Sequence, residues 1–196
     1  MKAGDNMDII VLEKANDYPI TLAEAKKHLR VLTDDEDELI EAYIDTATEY
    51  CETIQNKNYM TTKLKLILDE INLPIKLPRP PFQSLEKIEV QKSDGTLEEW
   101  PADNYIVDDS GYFGFINRSN SYNIPGDLAE QQKIQITYTA GYATAAEVPA
   151  RVKNAIKLLT AHFWSVRAPV STTGGVPQEI NLTVKALLGT DRVVPV

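Results

Sequence analysis

The chain has 196 residues, of which 43% are hydrophobic and 25% charged, a balance that excludes a disordered polypeptide and supplies apolar side chains for one large domain or two small ones. Its formal charge of -9 is uneven, with six basic and fourteen acidic side chains in residues 1–58 and near balance after them. No basic stripe is rich enough to neutralise a run of phosphates, which argues against tight nucleic-acid binding, whereas an acidic surface lets DNA pass without adhering.

From the N-terminus, Met1 to Leu12 contains Asp5 and Asp8 and lacks the long apolar region of a signal peptide. Residues 1–17 are expected to form a tail. Ile20-Thr21-Leu22-Ala23-Glu24 then reads as a helix start, with Thr21 as cap and Glu24 returning the bond three residues on. The short helix runs to about Arg30. After Leu32-Thr33, the acidic run Asp34 to Glu38 opens a second helix. Its apolar face of Leu39, Ile40, Tyr43, Ile44, Ala47, Cys51 and Ile54 recurs at three- and four-residue steps and reaches about Asn56. Carboxylates in a first turn favour the positive end of the helix dipole, and the run lacks the glycine and ligand spacing of a calcium loop.

From Thr61 the period changes to two. Leu64, Leu66 and Leu68 alternate with Lys63, Lys65 and Ile67, and Leu85, Ile88 and Val90 follow in the same manner. Pro78, Pro80 and Pro81 cannot donate ladder hydrogen bonds and mark an extended crossing or edge segment. Ser93-Asp94-Gly95-Thr96 predicts a hairpin turn. Further strands are expected at Leu97 to Trp100, Tyr105 to Val107, Gly114 to Ile116 and Lys133 to Thr139.

Helical periodicity returns after Val148-Pro149, where Val152, Ala155, Ile156, Leu159, Phe163 and Val166 form an apolar face ending near Arg167. Ala168 to Gln178 reads as a flexible loop, Leu182 to Leu188 as a last short helix, and 193–196 as a tail. The expected fold class is α+β, a helical bundle formed by N- and C-terminal helices with an inserted antiparallel β unit between them. The expected boundaries are 18–58 and 147–192 for the helical body and 60–142 for the β unit.

No nucleophile elbow, metal-binding histidine pair or phosphate loop is present. His28 beside Lys26 and Lys27 reads as solvated, and His162 as a partly buried neighbour of an apolar face. Asp108-Asp109-Ser110-Gly111 is turn chemistry. The single cysteine, Cys51, reads as a small buried hydrophobe and forms no intrachain disulfide. No segment approaches a membrane span, and synthesis in a reducing bacterial cytoplasm is expected. The residues nominate no catalytic, cofactor-binding or metal site and no cofactor. An enzyme reading has no residues to stand on.

Several stretches occur in a particular order: "ITLAEAKKHLRVLTDDEDELIEAYIDTATEYCE" (Ile20 to Glu52), "LPRPPFQSLEKIEV" (Leu77 to Val90), "PADNYIVD" (Pro101 to Asp108), "ITYTAGY" (Ile136 to Tyr142) and "VPARVKNAIKLLTAHFW" (Val148 to Trp164). The series, covering about residues 18–192, resembles the head-to-tail connector or head-completion adaptor proteins of long-tailed bacteriophages and prophages. The resemblance implies a structural virion protein at the head–tail junction. It implies a homo-oligomeric ring of about a dozen copies below the portal, extending the DNA channel and docking a stopper or tail-completion protein, although isolated copies can stay monomeric. The DNA passes through without specific binding, and no membrane is involved.

Ring contacts are heterologous. The candidate subunit interface therefore joins an acidic side, Asp34, Asp37, Glu41 and Glu49, to a side bearing Arg151, Lys153 and Lys157, since Glu147 is the only acid from 147 to 167. The same residues read equally well as two solvated faces of one subunit. Trp164 and Arg167, three apart on a helix, serve either a partner surface or helix-to-sheet packing. The alternative function is a glycan- or peptide-binding module that uses Trp100, Tyr105, Tyr112 and Phe113 of the β unit as a stacking platform.

Overall fold

The computed structural model describes residues 7–131, 134–166 and 178–193. The chain is an α+β protein dividing into two compact units, Met1–Ala15 with Thr61–Gly141, and Asn16–Met60 with Tyr142–Val196. No helix among the described residues is long and apolar enough to cross a membrane.

The first unit is built from antiparallel strands: β1 (Met7–Lys14), β2 (Thr62–Leu68), β3 (Ile75–Lys76), β4 (Phe82–Gln91), β5 (Leu97–Glu99), β6 (Tyr105–Asp108), β7 (Phe115–Arg118) and β8 (Ile134–Ala140). Five of them form a sheet in the order β1-β2-β8-β4-β5, and three form a second sheet in the order β3-β7-β6. The alternation in β2 sends Leu64 and Leu66 into the core, while Lys63 and Lys65 reach over the other face to Glu86 and Gln135. Central β8 supplies Ile134, Ile136, Tyr138 and Ala140 to a cluster shared with Ile88 and Val90 of β4, Ile75 of β3 and Ile116 of β7.

The Asp94-Gly95 turn closes β4 onto β5. The Lys92 amide donates to the Thr96 carbonyl at 2.9 Å, and Gly95 takes φ 85°, a region an L side chain resists. The proline-rich stretch carries the chain from β3 to β4. The Leu77 amide, just before the prolines, bonds to the Gly114 carbonyl at 2.9 Å, and the Phe82 amide, just after them, to the Tyr112 carbonyl at 3.1 Å. In between, the Pro78 carbonyl accepts the Tyr138 hydroxyl at 2.8 Å, so this donor-poor segment stays anchored through its acceptors.

Two expectations for this unit are corrected. Residues 7–14, expected within a tail, form edge strand β1, paired from Met7 with Leu68 to Lys14 with Thr62. Its run Ile9-Ile10-Val11-Leu12 hides the alternation, because only one side of an edge strand meets the core. Trp100 is no platform residue: it is 1% exposed, packs between Tyr105 and Tyr122, and donates its indole N–H to the Asn123 carbonyl at 3.1 Å. With that ring sealed in the core, the expected aromatic platform for a glycan or peptide loses Trp100.

The second unit contains α1 (Leu22–Leu29), α2 (Asp37–Gln55), α3 (Ala150–Ser165) and α4 (Gln178–Leu188). The capping box forms as the sequence predicts, with the Glu24 amide donating to Thr21 Oγ1 at 3.2 Å and the Thr21 amide to Glu24 Oε2 at 2.9 Å. Arg30 and Asn56 end α1 and α2 in the left-handed conformation. The apolar stripe of α2 (Ile40, Ile44, Ala47, Cys51) meets Val152, Ala155, Ile156 and Leu159 of α3, together with Val184 and Leu188 of α4. Helices from both ends of the chain thus share one core. Val166, assigned to the apolar face of α3, falls just beyond its end and is exposed. The expected loop at Ala168 to Gln178, save Gln178, which opens α4, and the tail beyond Val193 lie outside the described residues.

Candidate functional site

Among the described residues no group of three or more His, Cys, Asp and Glu side chains is placed to hold a metal ion. Burial, aided by the adjacent Glu52 charge, pushes the Cys51 thiol up to about 12, far from the thiolate a nucleophile requires. His28 is exposed and His162 half-buried against Phe163. The surface of the helical unit is where the chemistry of recognition gathers.

Helix α1 is the hub of its charges. Lys26 Nζ bonds Asp34 at 2.5 Å and Asp37 at 2.6 Å, bracing the loop between α1 and α2. The hydrogen bond from Lys26 holds the Asp34 carboxyl below its ordinary value, and the bonds to Asp34 and then Asp37 raise the Lys26 ammonium. On the side toward α3, Lys157 Nζ lies 3.4 Å from Glu24, and Lys153 adds to the field that lowers the Glu24 carboxyl, behind the larger effect of the Thr21 backbone. Arg151 pairs with Asp191.

The residues nominated as an intersubunit contact are therefore largely engaged within their own unit. Asp34 and Asp37 are taken by Lys26, Lys157 by Glu24, and Arg151 by Asp191. Trp164 is half-buried against the helical core, and its indole donates to Glu36 Oε2 at 3.1 Å, tying α3 to the start of α2 rather than to a sheet. Arg167 lies outside the described residues. Glu41 and Glu49 stay exposed on α2.

Two features escape the sequence. An open groove of about 370 Å³ on the helical unit has an apolar base of Ile20, Leu22, Ile44 and Met60, with Asp17 and Glu41 at its rim. Near the opposite end of α1, Leu32 is 95% exposed. A lone leucine between two helices, flanked by Arg30 and Asp34, was the available signal for the second. The groove is assembled from residues 16–22, 41–44, 60 and 143–145, a convergence no linear pattern displays.

The family model for the phage gp6-like head-tail connector protein matches residues 19–113, from before α1 through β6. Among solved structures, the chain is similar to one in the neck of an empty GTA particle computed with C6 symmetry, with 21% identity and a TM-score of 0.74 over 96% of this chain and 97% of that one. A chain in the virion of a native gene transfer agent (GTA) particle gives 20% identity and a TM-score of 0.75, covering 96% of each. One in the neck of a native GTA particle computed with C12 symmetry gives 19% and 0.68, covering 95% of this chain and 97% of that one. At these identities the likeness is one of fold, and it extends over nearly the whole of both partners. No curated protein matches the chain.

Proposed function

We propose that the chain, matched over residues 19–113 by the model of the phage gp6-like head-tail connector protein, belongs to that family and serves as a non-enzymatic adaptor in the neck of a phage-like particle. Copies assemble into a ring below the portal, continue the DNA channel, and present a surface to the stopper or tail-completion protein. The observation that carries the reading is the family match together with a fold shared, almost end to end, with chains in particle necks. The C6 and C12 symmetries of those particles support a ring of about a dozen copies, in which each contact joins two different faces. The charge of -9 suits a channel component that must not hold phosphate, and Glu41 and Glu49 remain outward-facing acids for a neighbour's bases.

Disrupting the gene in a particle-producing host tests this. Full heads and free tails should accumulate unjoined, and antibody to the chain should label the head–tail junction of wild-type particles. Joined, infectious particles at normal yield without the chain would overturn the proposal.

A further inference from the structure

We infer that neighbouring copies meet through a basic and aromatic patch on the strand unit of one, Lys76 and Arg79 with Tyr112 and Phe113, laid on the acidic side of α2 of the next at Glu41 and Glu49. The inference rests on the ring proposed above and specifies which faces it joins.

The patch begins as a gap in the acids. Segments 71–85 and 110–126 contain Lys76, Arg79 and Arg118 and no acid, in a chain that carries nine more acids than bases. The fold lays them side by side, with Lys76 opposite Phe115 in the ladder and the Leu77 and Phe82 amides on the Gly114 and Tyr112 carbonyls. Of the acids at the end of β6, Asp108 is held by the Ser110 amide and hydroxyl, and Asp109 pairs with neither base. Lys76 Nζ lies 4.0 Å from the Phe113 ring centroid, and Tyr112, 38% exposed, stands edge-on to that ring at 5.5 Å.

Arg79 supplies the second indication. Three non-glycine residues among those described take a left-handed backbone. Arg30 and Asn56 end helices, where that conformation is ordinary, whereas Arg79, with φ 60°, sits between Pro78 and Pro80 and ends none. L side chains resist this region, and a residue before a proline is normally extended. An arginine kept there against its backbone preference implies a task for its guanidinium. Neither Arg79 nor Lys76 has a carboxylate partner among the described residues, although both are half-buried, where an unanswered charge is costly. The strap that carries Arg79 is tied down on both sides, so little freedom is lost on docking.

The counterpart is α2, which has six acids and no Lys or Arg among its 19 residues. Glu38, Glu41, Asp45 and Glu49 recur along one side at three- and four-residue steps, and none is ion-paired among the described residues. Lys76 and Arg79, three residues apart, span at most about 10 Å. Glu41 and Glu49, eight apart on a helix, span about 12 Å, so the two cations reach two acids at once. Bases and acids belong to different units of the chain and form no pair within it. Copy to copy, such a contact is heterologous and repeats around a ring. Two cations are too few to neutralise a run of phosphates, which favours carboxylates over a duplex as their partner.

The test is made in assembled particles. Treated with a carbodiimide, which joins an amine directly to a carboxylate, the chain should give covalent multiples whose linked peptides connect Lys76 to the acids of α2. Lys76→Arg keeps the charge but lacks the coupling amine, so it should enter particles normally while those linked peptides vanish. Arg79→Gly removes the charge together with the left-handed strain. Its incorporation should fall about tenfold while its urea midpoint stays at or above that of the wild type, a combination that a merely structural arginine would not give. Glu41→Lys with Glu49→Lys should lower incorporation likewise, and Lys76→Glu with Arg79→Glu in the same chain should restore it. Normal incorporation of Arg79→Gly, a charge swap that restores nothing, or particles containing the chain without Lys76 linked to α2 overturns the contact and leaves the connector role standing. Lys76 linked to another virion protein overturns it in favour of that partner. Duplex binding by the isolated chain that is lost in Arg79→Gly overturns it in favour of nucleic acid. Absence of the wild-type chain itself from particles would instead defeat the connector reading.

Discussion

At Gly114 an added Cβ would lie 2.5 Å from Cγ and 2.6 Å from Cδ2 of Phe82, and that ring is backed by Tyr138, with centroids 6.5 Å apart. The ring has little room to retreat, so Gly114→Ala should cost about 1–3 kcal/mol, read as a lower urea midpoint with an unchanged slope. In a Phe82→Ala background, which removes Cγ and both Cδ atoms, Gly114→Ala should cost little, and an undiminished cost there would refute the steric cause. Nothing in the sequence marks this glycine, because the clash involves a strand that begins 32 residues away. The Thr21–Glu24 box was legible for the opposite reason, since all its partners lie within four residues and capping chemistry is local. Its pH dependence follows from the lowered Glu24 carboxyl, whose first cause is the Thr21 backbone hydrogen bond. A folded value below the ordinary 4.5 means that the contribution is complete above that pH and lost as pH falls through the lowered value. The protection of amides at the start of α1, measured as exchange relative to the intrinsic rate at each pH, should fall only on such acidification. Protection lost already at neutral pH, or kept in acid, would contradict it.

Among the elements, α4 depends most on one side chain elsewhere. Gln55, 1% exposed at the end of α2, donates from Nε2 to the Leu188 carbonyl at 2.8 Å and accepts the Tyr59 hydroxyl at 2.7 Å. Its own carbonyl accepts the Val193 amide at 2.9 Å. Gln55→Ala removes two side-chain hydrogen bonds, one from the Tyr59 hydroxyl and one to the Leu188 carbonyl, at a cost of about 0.5–1.5 kcal/mol each. Amide exchange should rise most along α4, and a variant that loses stability uniformly would show that the tie is not local. The helical pattern of α2 was readable because its apolar face repeats over five turns. Edge strand β1 was not, because pairing with β2 is set by partners from Thr62 to Leu68, far along the chain, and leaves Ile10, Val11 and Leu12 exposed. The interface nominated from charge failed to anticipate its internal pairs for a similar reason. Sequence shows that Lys157 and Arg151 are basic, whereas only the packing of α1 and α3 and the position of Asp191 show that their charges are already answered.

For the whole molecule, order along the chain proved more informative than composition. Helices at both ends with strands between them forced the end helices to find each other, and they share one core. Composition contributes the charge, which bears directly on a protein proposed to border passing DNA. Six bases against fourteen acids in residues 1–58 leave that segment strongly negative, and one of its bases and two of those of α3 are spent on internal acids: Lys26 on Asp34 and Asp37, Lys157 on Glu24, Arg151 on Asp191. A duplex approaching such a surface releases few counterions and meets repulsion instead. The isolated chain should therefore give no complex with a duplex of about 30 base pairs in about 0.15 M salt, even at about 0.1 mM protein, the weak limit of ordinary non-specific binding. Lowering the salt should not rescue binding, because weaker screening strengthens repulsion as much as attraction. Micromolar binding that tightens steeply as salt is removed would reveal a basic stripe and would reverse the assignment of a non-adhering channel neighbour.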